Sequence, residues 1–280
     1  MLNINKIIFK LVPVLYLISL WTIFTTAHIK GYEFLLKQMS HENSFFETVG
    51  TISLFIMFLY GIYALYKYKF SKYHRLAIII FTILAFLAGM EEISWGQQIF
   101  HFPSSSYFLE HNIQDETNLH NLMDANLFSS IIYSSIYALL VFIPLLFKLS
   151  SYLQKFKFLK YFDINPHIIL VVLFASSFQL YFYNDIGVIT DMITYFLALA
   201  LFGYFLKVKK SDIWLKIHFL TILIATAISI SSYYIYSFFN MQYEIRESFI
   251  ELAGLLIFIE LIRKEIIIKK KIPKSKINLA

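Results

Sequence analysis

Glu116, His120 and Asp124 stand four residues apart in the run Gln114-Asp-Glu-Thr-Asn-Leu-His-Asn-Leu-Met-Asp124. On a helix that spacing puts all three on one face. An imidazole between two carboxylates is suited to hold a metal or to pass a proton. A second set lies upstream, in Gly89-Met-Glu-Glu-Ile-Ser-Trp-Gly-Gln-Gln-Ile-Phe100. If the helix that carries this stretch continues, Glu91, Ser94, Trp95 and Gln98 share one face, and Glu92, Gly96 and Ile99 share the next. Glu91 and Glu92 then point about 100° apart, so adjacency alone makes no carboxylate dyad. A third set is Glu247 and Glu251, again four apart, with Arg246 beside them.

Together these sets outline an acid, His and Gln site. Glu91, Glu92, Ser94, Gln98, Glu116 and His120 are its candidate catalytic residues. Trp95, Arg246 and Gln179 are candidate substrate contacts. His120, Asp124, Glu247 and Glu251 are candidate ligands of a divalent metal. Carboxylates with one or two imidazoles suit zinc, manganese or magnesium. A buried Glu has a raised pKa and serves as a proton shuttle near neutral pH. No HxxxH pair occurs, so the zinc motif of seven-helix hydrolases is not matched.

Each feature also has a plainer use. Three polar residues at helical spacing make an ordinary solvated face. Trp95 suits an interfacial aromatic belt. Arg246 can neutralise a neighbouring acid, bind an anionic head group or snorkel to the surface. Asp185 and Asp191 suit a hairpin turn and a helix N-terminus.

The elements that must position these residues are set by composition. Hydrophobic residues make up 59% of the 280, charged residues only 15%. A soluble chain carries about 25% charge, so the apolar surplus calls for lipid. There is no cysteine, which removes disulfides, thiolate zinc sites and iron–sulfur clusters. A spanning helix needs about 20 apolar residues. Segments 7–27, 48–66, 76–96, 127–147, 166–183, 188–206, 217–239 and 248–262 meet or approach that need. The reading is all-α: a polytopic transmembrane bundle of about eight helices over 1–262, with a basic tail at 263–280. The first segment follows Lys6 and Lys10 and has no small-x-small cleavage site, so it reads as a retained helix. Residues 97–126 read as a re-entrant or interfacial segment, with a helix starting at Ser104–Ser106 and an amphipathic run from Tyr107. Thr117 reads as the cap of a following helix.

Charge supplies the orientation. With both termini cytoplasmic, 21 of the 24 Lys and Arg lie inside, leaving only Lys30, Lys37 and Arg246 outside. Fourteen of the 18 acids lie outside. The tail then reads as a lipid-facing anchor rather than a nucleic-acid reader. Ser129, Ser130, Ser134, Ser135, Ser176, Ser177, Ser229, Ser231 and Ser232 fall in the outer halves of their helices. With the acids they suggest a polar cavity open to the extracytoplasmic face.

The run Glu-Glu-Ile-Ser-Trp-Gly-Gln followed by Glu-Thr-Asn-Leu-His-Asn-Leu resembles a signature of an uncharacterised family of bacterial multi-pass membrane proteins. The resemblance covers about residues 89–124. It implies the bacterial cytoplasmic membrane as location. It implies that Glu91, Glu92, Ser94, Trp95, Gln98, Glu116, Asn118, His120 and Asn121 act as one unit, and it carries no activity. Three functions compete. A metal-assisted hydrolase or group transferase would act on a lipid or lipid-linked substrate. A carrier would use the same acids for cations or protons, but no Gly/Pro-broken helix pair marks a mid-membrane site. An assembly subunit would offer its outer polar face to a membrane protein partner.

Overall fold

The computed structural model describes Ile18 and residues 45–112, 115–119, 122, 125–177, 186–209, 211–236 and 241–271. Every regular element among them is helical. In chain order they are α1 (Phe45–Lys67), α2 (Lys72–Glu92), a 3₁₀ turn (Ser94–Gly96), α3 (Gln97–Phe100) and α4 (Ser106–His111). There follow α5 (Ala125–Tyr137), α6 (Ile143–Leu149), α7 (Pro166–Ser177), α8 (Ile186–Val208), α9 (Ile213–Tyr236) and α10 (Met241–Lys271). Two further 3₁₀ turns lie between α6 and α7.

Among the described residues, four helical stretches are long and apolar enough to cross a membrane: Glu47–Lys67, Lys72–Glu92, Ile131–Leu149 and Ile189–Val208. Within the expected segments 166–183 and 217–239, the described residues include the apolar helical stretches Pro166–Ser177 and Ile213–Ile228. The expected segment 248–262 lies within the longer α10, which carries on through the first residues of the basic tail. Of segment 7–27 only Ile18, which is helical, is among the described residues. The chain packs as two compact units. One comprises Met1–Thr48 with Met123–Ile250, the other Val49–Leu122 with Glu251–Ala280.

In the second unit α1 and α2 pack with the later turns of α10. Met57, Ala64, Ile78, Ala85, Leu255, Phe258 and Ile262 form the buried core. Glu265 is nearly buried and accepts the backbone N–H of Ser71 at 3.3 Å, at the start of α2. Its other oxygen lies 3.4 Å from His74 Nδ1. An acid placed there also meets the positive end of the α2 dipole. On α1, Gly61 allows close approach to α2: a Cβ built on it would lie 2.0 Å from Thr82 Oγ1. Thr82 is itself held to the Ile78 carbonyl at 2.6 Å. Gly61→Val is therefore expected to destabilise this unit by about 1–3 kcal/mol through overpacking. Gly61→Val with Thr82→Ala recovers part of that loss, as read by thermal unfolding in detergent.

In the first unit α7 is buried from Ile168 to Ser177 on every side. A helix apolar all round belongs in an interior, and this one has no polar stripe to show to water. Phe174 packs edge-on against Phe249 of α10, with ring centroids 5.1 Å apart. The Tyr195 and Thr226 hydroxyls bond α8 to α9 at 2.7 Å. Between α5 and α6 the helix widens into a π turn over Ala138–Phe142. Pro144 explains it. Proline has no N–H for the Leu140 carbonyl and its ring crowds that carbonyl, so the ladder loosens there.

Candidate functional site

Helix α2 stops at Glu92 because the backbone reverses hand. Ser94, Trp95 and Gly96 have φ of 47°, 55° and 94°. Glycine takes that region freely, and a Cβ on Gly96 would also press Phe100 at 3.2 Å. For Ser94 and Trp95 it costs on the order of 1–3 kcal/mol each. Such strain persists only where side chains outweigh it, and here they do.

Ser94 Oγ donates to Glu116 Oε2 at 2.5 Å. Asn118 Nδ2 donates to the same oxygen at 2.8 Å and lies 3.4 Å from Ser94 Oγ. Gln98 Nε2 reaches Glu116 Oε1 at 3.4 Å. Asn112 Nδ2 in turn fixes Asn118 through its side-chain oxygen at 2.8 Å and its carbonyl at 3.1 Å. Trp95 Nε1 donates to Glu91 Oε1 at 2.5 Å. The other Glu91 oxygen accepts the Leu119 backbone N–H at 2.7 Å. Gln97 bridges the two strips of chain. It donates to Ser104 Oγ at 2.8 Å and accepts the Thr117 N–H at 2.7 Å. Ser104 Oγ donates onward to the Asp115 carbonyl at 2.5 Å.

These bonds close a polar clasp between residues 91–104 and 112–119, wholly within the second unit. Its centre is dry: Ser94 is 0% exposed, Asn118 1% and Glu116 8%. Trp95 lies at its rim, 39% exposed.

Several sequence expectations change here. Helix α2 does not continue through Trp95, so Glu91, Ser94, Trp95 and Gln98 do not share a regular helical face. They are nevertheless brought together, by the left-handed turn. Glu116 does not lie in a helix among the described residues. Residues 115–119 form bends, with Asp115 at φ 57°. The backbone groups of Asp115, Thr117 and Leu119 are bonded to the side chains of Ser104, Gln97 and Glu91, which replaces a helical ladder. Thr117 is accordingly no helix cap. The helix expected from Ser104–Ser106 is present as α4, with Ser105 at its N-cap. Glu92 closes α2, half-buried. His120, Asp124 and Gln179 lie outside the described residues.

The helix-ten residues fall elsewhere. Arg246 and Glu247 belong to the first unit, and Glu251 is half-buried in the second. Arg246 pairs with Asp191 rather than with Glu247 or Glu251. Glu247 accepts the Tyr133 hydroxyl at 3.0 Å. Ser176 and Ser177 are buried with their hydroxyls turned back to the Val172 and Phe174 carbonyls of their own helix. Ser135 does the same with Ile131. These hydroxyls satisfy their own helices, which removes them as support for an open polar cavity. Among the described residues no group of three or more His, Asp or Glu is placed to hold a metal ion.

No family model, curated protein or solved structure matches this chain. What the clasp can do therefore rests on its own chemistry. A serine hydroxyl faces a buried carboxylate, and the carboxylate is aligned by an amide. Sequence reasoning missed two contacts. His167 Nδ1 meets His218 Nδ1 at 2.9 Å, which requires one ring to donate and the other to accept. Asn112 steadies Asn118. Neither leaves a periodic signal in the sequence.

Proposed function

We propose that this chain is a multi-pass membrane protein of the bacterial cytoplasmic membrane that acts as a hydrolase or group transferase on a lipid or lipid-linked substrate. The separation of basic and acidic residues supports about eight crossings with both termini cytoplasmic and the clasp at the extracytoplasmic face. The four long apolar helices are compatible with it. The bilayer then supplies the substrate, and no nucleic acid is involved.

The observation that carries the reaction is the 2.5 Å contact from Ser94 Oγ to Glu116 on a strained backbone. Glu116 takes the Ser94 proton as the oxygen attacks the electrophilic carbon or phosphorus of the substrate. The same proton then passes to the departing oxygen, and an acceptor or water releases the group from Ser94. Asn118 holds the carboxylate in line. Ser94 is covered, so residues 97–104 or 115–119 move aside to admit substrate.

The test incubates the purified protein with a total lipid extract and follows products by mass spectrometry. Glu116→Gln and Ser94→Ala each lower product formation by about 100-fold or more, with the fold intact by circular dichroism. Equal product from wild type and both variants would overturn this reading. A second reading has one observation in its favour: both Glu116 oxygens already accept protein donors. The clasp is then a fastening for a partner-binding loop, and Glu116→Gln loosens the loop while product formation is unchanged.

A further inference from the structure

The first unit holds another polar cluster, built round Arg246 and independent of the clasp. Arg246 is 1% exposed. Its guanidinium carbon lies 3.2 Å from the centre of the Tyr133 ring, so the ring face fixes its plane. Tyr133 is fixed in turn by its hydroxyl bond to Glu247. Tyr137, fully buried, sets its hydroxyl beside Arg246 and Ser176. Nη1 and Nη2 of Arg246 both approach Asp191 Oδ2, each at 3.4 Å. Among the described residues, Arg246 Nε and Asp191 Oδ1 are buried without a hydrogen-bond partner.

A guanidinium and a carboxylate whose sole task is mutual neutralisation close a fork of two parallel bonds at about 2.7–2.9 Å. This pair does not. Two nitrogens share one oxygen at long range, and the second oxygen is idle. The side edge of the guanidinium, Nε with its neighbouring Nη, is a second fork of donors. One edge of a fixed cation thus offers a donor, and the carboxylate next to it offers an acceptor. A ligand that satisfies both has oxygens to accept and an acidic proton to donate. A carboxylate ion has no such proton. A phosphate monoester or inorganic phosphate has both near neutral pH. Glu247, the next residue, is exposed.

We infer that Arg246 and Asp191 form a binding site for a protonated phosphate group, with Arg246 holding the oxygens and Asp191 accepting the P–OH proton. The source is a lipid phosphomonoester head group or free phosphate. The full chain is purified in detergent and titrated at neutral pH with inorganic phosphate, with sulfate, and with micelles containing phosphatidic acid or phosphatidylglycerol. Sulfate is tetrahedral but carries no proton, and phosphatidylglycerol is a diester without P–OH. Phosphate or phosphatidic acid is expected to bind about tenfold or more tighter than its unprotonated counterpart. Binding of phosphatidic acid alone assigns the lipid source. Binding of both phosphate forms assigns the free anion. Asp191→Asn, which keeps shape and an acceptor oxygen but adds an amide donor, collapses the preference to within about threefold. Arg246→Lys weakens binding of every probe. The inference is overturned if sulfate binds as well as phosphate and phosphatidylglycerol as well as phosphatidic acid. It is equally overturned if Asp191→Asn leaves the preference unchanged, or if no probe binds the folded wild type.

Discussion

Arg246→Leu is expected to destabilise the first unit by about 3–5 kcal/mol, because it leaves Asp191, whose side chain is only 14% exposed, without its counter-charge. The size follows from desolvation. A carboxylate held away from water relies on its partner, and Asp191 already has one oxygen without a bond. The guanidinium also fills volume against Tyr133, so its removal opens a gap at the ring face. The decisive comparison is the double variant Arg246→Leu with Asp191→Leu. Replacing both members of a buried pair by apolar side chains is often neutral or stabilising. Thermal or denaturant unfolding in detergent should show the double variant recovering most of the single loss. If the double variant is as unstable as the single one, the pair is not the source of the penalty.

Glu116→Ala should have the second-largest effect, and a local one. The substitution leaves the Ser94 hydroxyl and the Asn118 amide buried with donors and no carboxylate, at about 1–3 kcal/mol for each group. The loss does not spread through the unit, since the turn at Ser94 and Trp95 is strained and relaxes once the clasp lets go. Residues 93–119 then open while the packed core of α1, α2 and α10 persists. Hydrogen exchange reads this directly. The Thr117 and Leu119 amides, bonded to Gln97 and Glu91 in the wild type, lose protection. The amides of mid-α2 keep theirs. Uniform loss of protection across both would show that the clasp holds the whole unit.

The helical class was legible in the sequence because long apolar runs allow few other solutions, and Glu47–Lys67 and Lys72–Glu92 lie close to the expected segments. That Glu91, Ser94, Trp95, Gln98 and Glu116 belong together was implied only by the resemblance of their run to a family signature; their residue types alone put Glu116 in a separate set. How they group was not legible. A periodicity argument assumes the helix goes on, and nothing periodic announces three left-handed residues at Ser94–Gly96. Those φ values follow from long-distance partners such as Glu116 and Asn118, which a local pattern does not contain. Arg246 stood out beside Glu247 and Glu251, with pairing to a neighbouring acid as one of its three uses, and its partner is Asp191. Glu247 is its neighbour in sequence, but successive residues on a helix diverge by about 100°. Asp191 comes from a different helix, 55 residues away.

Trp95 has a consequence for observation rather than for stability. The chain contains three tryptophans, and this one has its indole N–H bonded to the Glu91 carboxylate at the rim of a dry cluster. Indole emission responds to a nearby charge and to contact with water. The emission of Trp95 therefore reports, in the native chain, whether its indole keeps the bond to Glu91.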